Sequence, residues 1–134
     1  MNKRTALIAL AAVGGLTGVV VWLAPARDVC AARATVSYSE DIQPIFRGRC
    51  FSCHQPEAPG YEKSGLDLTT YEGLMKGTRN GPMVIPGDPD SSNLVWLLDG
   101  RASPEITMPH GKKKLSTCDR DAIRTWIRQG AKKN

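Results

Sequence analysis

The chain has 134 residues, with 18 Lys plus Arg against 13 Asp plus Glu, a formal net charge of +5 and four cysteines. That length predicts one domain, and 41% apolar with 23% charged residues excludes wholesale disorder. Gly and Pro are abundant and aromatic residues make up only 6%, which describes a loop-rich chain short of bulky core side chains.

Asn2-Lys3-Arg4 precedes an uncharged apolar run from Ala6 to Ala24. The run is long for a secretory signal core of roughly 7–15 residues and sufficient for a membrane helix of roughly 17–25. Gly14, Gly15 and Gly18 are tolerated in membrane helices, and Trp22 sits where an interfacial anchor would. Residues 1–26 are therefore expected to be a retained transmembrane anchor. The alternative is a signal cleaved near Ala24-Pro25-Ala26 or Ala32-Arg33-Ala34. Both readings export the remainder to the periplasmic side of a bacterial inner membrane, as a linker over 27–36 and one domain over 37–134.

The first helix of that domain is expected from Ser39 as cap, with Glu40 and Asp41 in the first turn, favourable at the positive end of the dipole. Ile42, Ile45 and Phe46 recur at i, i+3 and i+4 and predict one buried face. Pro44 fits only in the first turn or so, and Gly48 is expected to loosen the chain before the next motif.

That motif is Cys50-Phe51-Ser52-Cys53-His54, a C-x-x-C-H pentapeptide. The spacing suits c-type haem attachment: two thiols add across the two vinyl groups of one porphyrin edge, and the adjacent histidine comes to lie under the iron. The tether then needs no large protein cage. Three other uses of these residues compete. A thioredoxin-like redox pair would need a βαβ pattern that the sequence lacks. A structural zinc site would draw on Cys50, Cys53, His110 and Cys118, without a second matching knuckle. Structural disulfides suit an exported chain. Haem is the preferred cofactor.

Beyond it, Gly65-Leu66-Asp67-Leu68 reads as a short extended piece, and Tyr71 to Met75 as a short helix with Leu74 inward. Gly81-Pro82, Pro86-Gly87 and Asp88-Pro89 mark turns. Ser91 or Ser92 can cap a helix carrying Leu94, Val95, Leu97 and Leu98, stopped by Gly100. Strand content is expected to be negligible.

A six-coordinate haem needs a distal ligand, and methionine raises the potential relative to histidine. Met75 falls on an apolar helix face and Met83 beside Val84 and Ile85, positions that suit core or pocket wall. Met108 precedes Pro109 in a loop ahead of the last helix and is the preferred ligand. His110, Met83 or an open position are the alternatives. The last helix is expected from Ser116 or Thr117, with Asp119 and Asp121 early, an Ile123, Trp126 and Ile127 stripe, and Gly130 as its stop.

These landmarks, taken in order, resemble the planctomycete-type cytochrome-c-like domains within the class I cytochrome c superfamily. They are Asp41-Ile42-Gln43-Pro44-Ile45-Phe46, the Cys50 to His54 motif, Gly65-Leu66-Asp67-Leu68, Gly81-Pro82, the run from Val84 to Ser92, Met108-Pro109, and Trp126 to Ala131. The resemblance implies an all-α fold of three to four short helices around one covalently bound haem, with the terminal helices crossing beside it. It also implies Cys50 and Cys53 as thioether sites, His54 as proximal and Met108 as distal iron ligand. His110 departs from the family's usual second proline, and Lys112-Lys113-Lys114 makes the next loop unusually basic. Cys118 has no haem role: it pairs with Cys30 or both thiols stay free.

The excess charge sits late in the chain: eight basic residues follow from Lys112 onward against Asp119 and Asp121, while residues 35–111 are net acidic. A basic patch beside the Met108 loop would steer an acidic redox partner, and nucleic acid fits poorly without stacking aromatics. The sequence thus predicts a periplasmic monohaem electron carrier serving a membrane respiratory or photosynthetic complex, held to the membrane through residues 6–24. No catalysis and no small-molecule substrate are expected, since no distal acid or base is evident. The alternative is a haem enzyme or gas sensor with a labile sixth ligand.

Overall fold

Ser37 accepts a hydrogen bond from the backbone of Glu40 and so opens a single π-turn, Tyr38–Ile42, in a computed structural model that describes residues 35–134. The cap is thus Ser37 and not Ser39, which lies inside the turn. The π-turn runs directly into α1, Gln43–Arg49, with Pro44 in its first turn. Gly48 does not loosen this helix, which continues through it to Arg49. Ile42 and Phe46 are fully buried, as their spacing predicts.

Four more α-helices follow among the described residues: α2, Pro59–Ser64; α3, Tyr71–Lys76; α4, Asn93–Asp99; and α5, Thr117–Arg128. The architecture is all-α; among the described residues the only β-type pairing is an isolated bridge between Thr78 and Gly81. The count exceeds the three to four expected helices because α2 lacks an apolar stripe and gave no periodic signal. The apolar run over Ala6–Ala24 and its expected anchor lie outside the described residues. No helix among the described ones is long and apolar enough to cross a membrane.

Thr70 caps α3 through Gly73, and Ser116 caps α5 through Asp119. Gly100 ends α4 in the left-handed conformation that glycine adopts without strain. Ser92 is the N-cap residue of α4, as one sequence option had it, but its side chain makes no capping hydrogen bond. Its hydroxyl accepts from the Ile85 backbone at 2.9 Å and donates to the Asp88 carbonyl at 2.7 Å, which ties down the loop ahead of the helix.

The core is formed where α5 meets the π-turn and α4. The first helical unit therefore reaches α5 chiefly through its π-turn. Ile123, Trp126 and Ile127 bury the predicted stripe of α5, and Tyr38, Tyr71 and Trp126 pack ring against ring, with Tyr38 and Tyr71 edge-on at 5.1 Å. Asp99 closes the other end, accepting from Arg120 at 3.2 Å and also pairing with Arg124.

Tyr38 brings a titratable group into this core. Its hydroxyl is buried with no hydrogen-bond partner, and burial, helped by the nearby Glu72 carboxylate, pushes it up to about 12. An unfolded tyrosine ionises near pH ~10. Between these values the unfolded chain has lost a proton that the folded chain keeps, so stability falls as pH rises through the window. Tyr38→Phe is expected to flatten that fall and to be neutral or stabilising by up to about 1 kcal/mol at neutral pH, because an unpartnered buried hydroxyl is removed. Urea unfolding of both proteins at neutral and strongly alkaline pH checks this.

Candidate functional site

The Cys50–His54 segment leaves the end of α1 as a tight turn. Cys50 N–H donates to the Phe46 carbonyl at 2.8 Å, and the N–H groups of Cys53 and His54 both donate to the Cys50 carbonyl at 3.0 Å. The other face of the turn is also held. Tyr61 N–H donates to the Cys53 carbonyl at 3.0 Å and Leu68 N–H to the His54 carbonyl at 2.8 Å. The Gly65–Leu68 piece thus forms no strand pairing; it packs Leu66 and Leu68 inward and pins the histidine's backbone.

Gly60, at the start of α2, permits this close approach. A Cβ there would stand 2.6 Å from the Cys53 carbonyl oxygen and 3.0 Å from His54 Cε1. No periodicity or motif marks Gly60 as part of the site, and only its neighbours do.

The turn opens onto a cavity of about 660 Å3, within the usual range for a cofactor site. Cys50, Cys53 and His54 line one part of it, and Phe46, Leu66, Leu68, Leu94 and Leu98 give it apolar walls. Met108 lines it too, as do His110 and Met83, whereas Met75 packs against the core elsewhere. All four preferred site residues, Cys50, Cys53, His54 and Met108, are therefore gathered around one apolar space, although Met108 comes from a loop more than fifty residues further along the chain. His110 is exposed at the rim.

Burial holds the His54 imidazole below its usual range, partly offset by the Leu66 backbone, and so favours the neutral form that can ligate a metal. Its Nδ1 is buried with no hydrogen-bond partner. Burial likewise pushes the Cys50 thiol up to about 11, against the opposing pull of Arg49 and Lys112. A redox-exchange cysteine needs the reverse shift, so the thioredoxin-like reading loses support. Cys50 and Cys53 form no disulfide, and Cys118 is disulfide-bonded. Cys118 is then unavailable to a zinc set, while Cys30, the partner that one of the two sequence readings gave it, lies outside the described residues.

The rim is basic and partly apolar. Arg49, Lys63 and Lys112 line it beside the exposed Trp96 and Ile106. Arg101 stacks over the Trp96 ring at 4.4 Å.

The chain is 30% identical, over 72% of its length, to hydrazine synthase subunit alpha from Kuenenia stuttgartiensis, and spans 15% of that relative. A solved structure of Kuenenia stuttgartiensis hydrazine synthase matches with a TM-score of 0.51 at 28% identity, covering 72% of this chain and 16% of the matched one. These relatives correct one expectation, that the chain is no enzyme: the proteins it resembles are synthases. The missing distal acid or base was a weak ground for that expectation, because one fold carries different chemistries according to what is grafted around its site. Residues 50–110, from the first cysteine of the turn through Met108 and His110, match the planctomycete cytochrome c family, the family that the ordered landmarks resemble.

Proposed function

We propose that residues 37–134 form an exported monohaem cytochrome c domain of class I type, passing single electrons on the periplasmic side of a membrane as part of an enzyme assembly. The observation that carries this reading is the convergence of Cys50, Cys53, His54 and Met108 on one apolar cavity. The residues fit haem: two cysteines three apart and outside any disulfide, a buried imidazole whose Nδ1 lacks a partner, and a space of cofactor size.

Bound there, haem supplies an iron that alternates between ferrous and ferric. Cys50 and Cys53 would hold its edge through thioethers, and His54 and Met108 would be the proximal and distal ligands. The apolar walls would shield haem from water, and two protein ligands kept in both oxidation states would keep reorganisation small. The basic rim around Trp96 and Ile106 supports an acidic redox protein as partner, and the likeness to a synthase subunit supports a place inside an assembly.

That same likeness favours a second reading, an enzyme in which the sixth position of haem opens to a small molecule. An absorption spectrum separates the two. The first reading expects a low-spin ferric protein with a weak band at the red end of the spectrum. Met108→Ala is expected to abolish that band and to lower the reduction potential. A high-spin spectrum in the untreated protein would contradict the carrier and favour the open site.

A further inference from the structure

The loop that carries Met108 has no helix between Gly100 and Ser116, so something else must hold it. On the α4 side, Met108 N–H donates to the Leu97 carbonyl at 3.2 Å, and Lys114 Nζ donates to the Asp99 carbonyl at 2.6 Å. A second pair of bonds crosses to the other wall of the cavity. Arg49 Nη2, from the last residue of α1, donates to the Lys113 carbonyl at 2.5 Å. Lys112 Nζ donates to the hydroxyl of Ser52, between the two motif cysteines, at 3.1 Å. Arg49 and Lys112 themselves line the cavity with Met108.

We propose that Arg49 and Lys112 are positioning residues: they latch the Met108 loop to the Cys50–His54 turn and so govern how readily an outside ligand displaces Met108. The proposal rests on Met108 being the distal ligand. A thioether is a weak ligand on a helix-free loop, so its occupancy depends on how often that loop swings away. The two latch bonds span 64 and 60 residues of chain, and each opposes that swing directly. Displacement is a ligand exchange without redox change: the iron–sulfur bond breaks as an iron–nitrogen bond forms.

Imidazole titration of the ferric holoprotein, followed by absorption, tests this. The Arg49→Leu/Lys112→Met double variant is expected to bind imidazole roughly tenfold more tightly than the unmodified protein, the effect of losing one or two ordinary hydrogen bonds. In a Met108→Ala background the same pair should have no further effect, because no ligand remains to be displaced. Arg49→Lys with Lys112→Arg keeps a donor at each position and should restore the original affinity. Unchanged affinity in the double variant overturns the latch. So does an effect that persists undiminished in Met108→Ala, which would report general loosening of the pocket. If Met108→Ala alone leaves imidazole affinity unchanged, both the latch and the ligand assignment fall.

Discussion

Trp126→Ala is expected to destabilise the domain by about 3–5 kcal/mol, the usual cost of deleting a large aromatic side chain from a core. Trp126 is 1% exposed, and its indole N–H donates to the Lys132 carbonyl at 2.9 Å. Its ring also stands 5.6 Å from Tyr38 and 6.4 Å from Tyr71, so truncation strips both tyrosines of a neighbour. Small domains have only about 5–15 kcal/mol of net stability, so this is a large share. At about 4–8 °C per kcal/mol for a domain of this size, the midpoint should fall by at least about 12 °C. Thermal unfolding followed by circular dichroism measures it. The site should suffer less at temperatures where the variant still folds, because Trp126 lies in the core and does not line the cavity.

Gly60→Ala should do the opposite, damaging the site more than the fold. The added methyl would stand 2.6 Å from a backbone oxygen, a contact no side-chain rotation relieves. Either α2 or the Cys53–His54 turn must shift, at about 1–3 kcal/mol. The nearby His54 Cε1, 3.0 Å from the same point, makes the imidazole a direct casualty. Expected results are lower haem incorporation per protein and a disturbed low-spin spectrum, with a midpoint loss smaller than that of Trp126→Ala. Normal haem content and spectrum in Gly60→Ala would show that the turn tolerates displacement.

These two residues also mark how far the sequence could be read. Trp126 was legible because α5 repeats its apolar side chains at helical spacing, and local periodicity reports directly which face is buried. The same holds for Ile42 and Phe46. The Cys50–His54 motif was legible because its chemistry requires contiguous residues. Gly60 was not legible, since its role is set by a carbonyl that only the folded turn brings near. α2 itself, Pro-Gly-Tyr-Glu-Lys-Ser, has no apolar stripe to announce it. Ser92 looked like a cap by type and position, but its hydroxyl serves the preceding loop. The latch of Arg49 and Lys112 was invisible for the same reason as Gly60: contacts across 60 or more residues leave no periodic trace. Basic residues before Ser116 read only as charge, and two of their donors turn out to be committed to the loop.

The synthase likeness sharpens what the charge pattern left general. The proposed partner is an acidic protein surface, matched to a basic, partly apolar rim, and a place inside an assembly would keep that surface at hand. The roles proposed for Cys50, Cys53, His54 and Met108 all depend on one premise, that haem is covalently held at Cys50 and Cys53.

Intact-mass measurement of the purified, denatured protein, paired with an alkaline pyridine absorption spectrum, tests that premise most directly. The added mass of one haem is expected, with a c-type spectrum, and its loss in the Cys50→Ala/Cys53→Ala variant. A chain of unmodified mass in which Cys50 and Cys53 react as free thiols would contradict it.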